Sequence, residues 1–281
     1  MNTLILSAAL VGAGTTREQA PTVPLTPDEI AAEVVAVAKA GAAVVHLHAR
    51  DDEGKNTMET ERFVEIYTKA TRACEKAGVD VIFNLTSSGG KFPYEMRLAH
   101  LKKLKPEMCS YDPGSMNWGN SYVFLNEPEF LRQLSEVTIE NDIKPELEIF
   151  DGGMLYTCLD YIKRGWLRVP CHFQFVLGVA GGLPGDLDSL AFLLPKLPEG
   201  STWSITGIGK SHMPMMLAGL AAGCDGLRVG LEDNVFMSRG VPATNVSLVE
   251  RAVTLARFAG REIATASEAR KRLGITRSWQ S

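Results

Sequence analysis

The sequence is poor in several things, and each shortage narrows what the chain does. It holds only five cysteines in 281 residues: Cys74, Cys109, Cys158, Cys171 and Cys224, an odd number, scattered, with no C-x-x-C. That argues against a disulfide framework and suits a reducing cytoplasm. No run approaches the roughly 18 apolar residues of a membrane span. Positive charge is scarce, with 29 Lys+Arg against 33 Asp+Glu and a net charge of −4. No basic row is interleaved with aromatics, so no nucleic-acid surface is expected. The apolar run Thr3 to Leu10 lacks a positively charged start and is read as a first strand, not a signal peptide. A glycine-rich phosphate turn is also missing. Gly12-Ala13-Gly14 is a fragment of one, with no acidic residue at a strand end about 20 residues on, and this disfavours an open doubly wound sheet.

What is present is an alternation. Hydrophobic content of 45% and charged content of 22% are ordinary for a globular protein, and the length fits a single α/β barrel of about 250 residues plus insertions. Strands are predicted at Thr3 to Leu10, around His46 and His48, and at Val79 to Leu85, Met108 to Asp112, Lys144 to Phe150, Cys171 to Leu177, Thr202 to Ile208 and Gly226 to Leu231. Helical periods lie between and after them. The first is the clearest, with Thr26 as N-cap, Pro27 at the first helical position, Glu29 closing a capping box and Gly41 stopping it after Ala40. A helix from about Asn126 to Glu140 separates the fourth and fifth strands. A short extra helix, Ser267 to Leu273 with Ser267 as its cap, ends the pattern. Eight βα units without a low-complexity linker predict one (β/α)8 TIM barrel catalytic domain over residues 1–281, with a short C-terminal extension.

The central stretch is Val44-Val45-His46-Leu47-His48-Ala49-Arg50-Asp51. Alternate side chains of a strand share a face, so His46, His48 and Arg50 lie together and form half of a metal site. The same pleating turns polar residues into the barrel elsewhere: Asn84 and Thr86, Ser110 and Asp112, Glu146 and Glu148, His172 and Gln174, Ser204 and Thr206, Arg228 and Glu232. Unpaired, such groups would cost roughly 1–3 kcal/mol each. Barrel sites lie at the C-terminal ends of strands, where His46, His48 and Glu232 fall. Plainer readings stand beside this one. Glu146 with Arg228 is also explained as a buried ion pair. Asp51 and Asp52 read as turn residues and His100 as a solvated residue of a Lys-rich helix. His212 suits a helix start as well as a ligand, and Met213, Met215 and Met216 suit packing.

Four segments in order, Ala42 to Asp51, Pro145-Glu146-Leu147-Glu148, Phe175 to Gly182 and Arg228-Val229-Gly230-Leu231-Glu232-Asp233-Asn234, resemble the β-keto acid cleavage enzymes. The resemblance continues through Asn245 to Arg251 and Ala264 to Arg270. It implies a zinc-dependent barrel that condenses a β-keto acid with acetyl-CoA and releases acetoacetate and a new acyl-CoA. It further implies His46, His48 and Glu232 as zinc ligands, Arg228 and Asp233 as the pair that takes the α-proton, and Glu146 beside the metal as an orienting or proton-handling group. Ser87 and Ser110 fall where similar enzymes place hydroxyls near substrate, with Thr86 adjacent. Similar enzymes are homotetramers. Members acting on an amino-bearing keto acid carry an acidic residue in the loop after the first strand, where this chain has Gly14-Thr15-Thr16. A neutral or anionic substrate tail is therefore expected. Arg17 is placed to meet an anionic one, or is simply solvated. Gly207-Ile208-Gly209-Lys210 reads equally as a phosphate turn and as a tight turn with an exposed lysine.

Two rivals start from the same residues. A metal-dependent hydrolase of amidohydrolase type also begins with His-x-His but needs histidines after the fifth and sixth strands, and His172 falls at the wrong end of its strand. A non-catalytic metal-binding barrel has no use for Arg228 beside Asp233. A hydrolase would act without coenzyme A, and a scaffold would turn over nothing.

Overall fold

A computed structural model describes residues 3–280. Eight parallel strands close into a barrel: β1 (Ile5–Ala9), β2 (Val44–Leu47), β3 (Ile82–Leu85), β4 (Met108–Tyr111), β5 (Lys144–Ile149), β6 (His172–Leu177), β7 (Thr202–Gly207) and β8 (Gly226–Val229), each beside its sequence neighbours, with β8 returning to β1. Several strands are shorter than their apolar runs suggested: those ending at Asp112, Phe150, Ile208 and Leu231 leave the ladder at their last residues, toward the mouth, while the third and sixth start later, at Ile82 and His172. Eight helices follow them: α1 (Pro27–Ala40), α2 (Thr60–Ala77), α3 (Tyr94–Leu104), α4 (Pro128–Glu140), α5 (Gly152–Lys163), α6 (Leu187–Leu193), α7 (His212–Ala221) and α8 (Asn245–Phe258). No helix among the described residues is long and apolar enough to cross a membrane.

Local chemistry sets the helix ends. Thr26 and Glu29 form the reciprocal capping box of α1, which ends at Gly41 with φ of 121°. The last helix, α9 (Ala266–Leu273), is capped by Thr265 with Glu268, not by Ser267. Two hydroxyl residues flanking Ala266 made the choice ambiguous, and the one three places before a glutamate took it. This helix plugs the N-terminal end of the barrel. Ala266, Ala269 and Leu273 pack on Ile5, Val44, Ile82 and Met108, and Arg270 is tied to Asp80 and Glu107. The opposite end is left for a site.

Between β4 and α4 lies a hairpin, Met116–Trp118 paired with Tyr122–Phe124, that periodicity did not reveal. His100 is fully buried, contrary to the solvated reading. It stacks on Phe63 of α2 at 4.0 Å, and its Nε2 lies 2.9 Å from the Thr86 carbonyl. The lysines beside it mark only one side of a helix that is covered on two.

The interior is polar, as the pleating predicted. Register sets Ser110 and His172 beside Glu146, and Gln174 beside Glu148. Many of the groups pair with one another: Asn84 donates to Glu146 at 2.7 Å, and Ser204 bonds both His172 and Gln174, while Asn84 Oδ1 and Glu146 Oε1 are buried without a hydrogen-bond partner. All five cysteines are buried and unpaired.

Candidate active site and metal centre

At the top of β2, His46 and His48 point the same way, with ring centroids 5.1 Å apart at 73°. Both are buried. Burial pushes His46 down to about 3, so its imidazole is neutral and free to donate a lone pair. Glu232 reaches them from the turn after β8. That turn is held by Glu232 N donating to Ala9 O at 3.2 Å, Thr15 Oγ1 to Leu231 O at 2.9 Å and Leu231 N to Asn245 Oδ1 at 2.9 Å. Gly230, at φ 147°, lets the chain pass where a Cβ would lie 2.0 Å from Ala9 O.

Glu232 Oε2 is 3.7 Å from His46 Nε2, and Oε1 is 3.5 Å from His48 Nε2. These spans are long for hydrogen bonds, but ligands held at zinc distances in a tetrahedron stand about 3.4 Å apart. Glu232 Oε2 is buried without a hydrogen-bond partner, as are the Nδ1 atoms of both histidines. Three converging donors, one an orphaned carboxylate oxygen, fit a divalent cation.

Arg228 is the electrostatic hub. Only 2% exposed, it donates from Nε and Nη2 to both oxygens of Asp233 at 3.0 Å, from Nη1 to Glu148 at 2.9 Å and from Nη2 to Glu232 at 2.7 Å. A planar fork gripping one carboxylate side-on fixes its orientation. Burial pushes the Asp233 carboxyl up while Arg228 opposes it, which leaves a base stronger than an ordinary aspartate. For Glu232 burial is overcome by Arg228 and the two imidazoles, and its carboxyl falls well below the usual range.

These groups open on a cavity of about 540 Å³ at the barrel mouth. His46, His48, Glu232, Arg228, Asp233 and Gly14 line it. The hydroxyls do not. Ser87 and Ser110 are fully buried and bond each other, Ser87 N to Ser110 Oγ at 2.9 Å and Ser87 Oγ to Ser110 O at 2.8 Å. Thr86 Oγ1 accepts from Ser88 N at 3.0 Å. The neighbours Ser88 and Asp112 line the cavity instead. Glu146 lies a layer deeper, on Asn84, 4.0 Å from Arg228, while Glu148, two residues further up β5, reaches the cavity. Both faced inward by alternation, and nearness to the C-terminal strand end was the signal that favoured Glu148. Arg17 is spent on Glu29. His172 sits low in the barrel on Thr202 and Ser204, so the second histidine site of the hydrolase rival is missing. His212 pairs with Arg251 at 2.8 Å.

Two buried arginines were not foreseen as structural. Arg50, 3% exposed, donates to the carbonyls of Gly12, Gly54, Val11 and Thr15, and so fixes the loop after β1 against Glu232. Arg97 donates to Ser87 O, Leu125 O and Asn126 Oδ1. Apart from Gly54, the backbone carbonyls they serve lie 10–39 residues away in sequence, which no local pattern records.

The family described as beta-keto acid cleavage enzyme matches residues 3–275. The chain is 39% identical to a 3-keto-5-aminohexanoate cleavage enzyme of Fusobacterium nucleatum subsp. nucleatum, over 98% of this chain and 99% of that protein. It is 34% identical to a 3-dehydrocarnitine:acetyl-CoA trimethylamine transferase of Rhizobium meliloti, over 98% and 97%. It is 32% identical to a 3-oxoadipate:acetyl-CoA acetyltransferase of Cupriavidus necator, over 96% and 94%. Among solved structures, apo ObcA superposes with a TM-score of 0.77 at 22% identity, over 91% of this chain and 66% of that one, a likeness of fold.

Proposed function

The chain belongs to the β-keto acid cleavage enzymes, and from that premise we propose that the barrel mouth condenses a β-keto acid with acetyl-CoA, giving acetoacetate and a new acyl-CoA. The observation that carries the assignment of roles is Asp233, clamped by Arg228 and facing the same cavity as His46, His48 and Glu232. His46, His48 and Glu232 would hold a divalent cation, zinc by their donor types, which supplies Lewis acidity toward the keto acid's oxygens. Asp233 takes the proton from the carbon between the keto group and the carboxylate, at Oδ1 or Oδ2, while Arg228 keeps the carboxylate aimed. The resulting carbanion attacks the thioester carbonyl, coenzyme A thiolate transfers to the original keto carbon, and the bond to the former α-carbon breaks. Asp233 returns its proton to the departing acetoacetate. Glu148, anchored on Arg228, keeps the guanidinium in plane, and Glu146 below it takes a supporting place in the same network. Thr86, Ser87 and Ser110 act through the shape of the loop that presents Ser88, and Gly14 leaves room at the wall.

The test is acetoacetate release from β-keto acids with and without acetyl-CoA, before and after chelation. Product only with acetyl-CoA, lost to chelator and restored by zinc, is expected. Product without coenzyme A would overturn the reaction, and product unaffected by metal removal would overturn the metal site. A single-barrel catalytic domain working as a cytoplasmic homotetramer completes the reading, and light scattering reads the assembly.

A further inference from the structure

The cavity lining divides into two kinds of chemistry. Alongside the carboxylates and histidines stand Trp118, Tyr122, Phe124, Phe150, Val176 and Phe236. Trp118 is the centre of this group, edge-on to Phe124 at 5.6 Å and to Phe150 at 5.3 Å. The hairpin that carries Trp118 and Phe124 is fixed at both ends. At its root, Asn126 N donates to Ser115 Oγ at 2.8 Å, Asn126 Nδ2 donates to Gly114 O at 3.1 Å, and Arg97 holds Asn126 Oδ1. At its tip, Gly119 N donates to Ala180 O at 2.9 Å. A Cβ on Gly181 would lie 1.9 Å from Asn117 O, and one on Gly182 would lie 2.7 Å from Phe150 O. The Val179-Ala180-Gly181-Gly182 run is thus a seat on which the hairpin and Phe150 rest backbone to backbone.

The charged groups are already engaged. Arg228 is the one Lys or Arg among the described lining residues, and its Nε, Nη1 and Nη2 are taken by Asp233, Glu148 and Glu232. A terminal carboxylate would find no free cation among these lining residues, Lys91 standing 5.2 Å over the outer Tyr122 ring, and would face those acids. A terminal ammonium would find Glu148 and Asp233 paired with Arg228, Glu232 shared between Arg228 and the two histidines, and Asp112 accepting from Ser88. Gly14 adds no side chain, although a Cβ there would meet nothing within 4 Å. We propose that, within the reaction described above, this chain takes β-keto acids with a neutral, apolar tail, selected by Trp118 together with Phe124 and Phe150.

The experiment separates the tail from the reaction. Binding is measured by calorimetry on zinc-supplemented protein without acetyl-CoA, using β-keto acids of equal length ending in methyl, carboxylate, ammonium or trimethylammonium. Turnover with acetyl-CoA is measured in parallel. The methyl-ended compound is expected to bind at least tenfold more tightly than any charged one, with about threefold to fourfold gained per added methylene. Trp118→Ala should abolish most of that gain and raise KM more than it lowers kcat, and Phe124→Leu should do so in part. Tightest binding by a carboxylate or ammonium tail overturns the proposal. So does tightest binding by trimethylammonium, which would make Trp118 a cation-binding ring. An unchanged ranking in both variants, or no binding of any tail, overturns it as well. Methyl-ended compounds bound best but never turned over would support the tail assignment and refute the reaction.

Discussion

The loop after β1 touches Glu232, a ligand of the proposed metal site, through a glycine, so adding one methyl group there should cost that site. Gly12 sits at φ 62°, and a Cβ on it would lie 2.6 Å from Glu232 Cγ and 3.2 Å from Glu232 Cδ. Carbon atoms rest at about 3.5–4.0 Å, so Glu232 or the loop must move by about 1 Å. The loop is not free to move, because Arg50 holds Gly12 O at 2.9 Å and Thr15 O at 3.0 Å. Gly12→Ala should therefore carry two separable penalties. The left-handed backbone costs about 1–2 kcal/mol of stability. A misplacement of about 1 Å at the site costs on the order of 100-fold in rate, and disturbing a ligand's support costs about 10- to 100-fold in metal affinity. Gly78, the C-terminal residue after α2, isolates the first penalty, since its φ is 64° and a Cβ there meets nothing within 4 Å. Both variants are compared by thermal unfolding, zinc content after dialysis and acetoacetate release. Gly78→Ala should lose a few degrees of melting temperature and keep its metal and turnover, whereas Gly12→Ala should lose all three. Full zinc occupancy with wild-type turnover in Gly12→Ala would refute the claim that the loop positions Glu232.

Asp233→Asn should bind zinc as the parent does and lose turnover by at least 1,000-fold; substantial residual activity would remove Asp233 as the base. Arg50→Met leaves the buried carbonyls of Val11, Gly12 and Thr15 without their donor, at roughly 1–3 kcal/mol each, so urea unfolding should show a loss of several kcal/mol. A loss under 1 kcal/mol would mean water replaces the guanidinium. Burial pushes His100 down to about 4, against 6.5 when unfolded. Its contribution is therefore complete above pH 6.5 and is lost as pH falls to 4, about 3 kcal/mol over that window. His100→Phe should flatten the stability profile there, and an unchanged slope between pH 6.5 and 4 would show that His100 is not the group titrating.

Much of this protein was legible before its structure. Eight alternations of apolar runs and helical periods implied the barrel, and Thr26, Pro27, Glu29 and Gly41 marked α1 to the residue, because capping and periodicity are properties of neighbouring residues. Strand pleating placed His46 with His48 and turned Arg228, Glu146 and Glu148 inward. It says which face a side chain takes, but not how deep in the barrel it ends or what it meets. The family resemblance, not pleating, suggested Glu146 beside the metal and Ser87 and Ser110 near substrate; the fold rests Glu146 on Asn84 and bonds the two serines to each other. The Arg228 to Glu148 contact joins residues 80 apart, and the hairpin seat joins Asn117 to Gly181. Arg50 and Arg97, strongly charged, are buried because backbone carbonyls from distant loops satisfy them. Composition and local pattern determined the barrel and the polar face it turns inward. Depth, partners and the wall facing the substrate's tail were decided only when distant segments closed on one another, since burial and hydrogen bonding depend on neighbours in space.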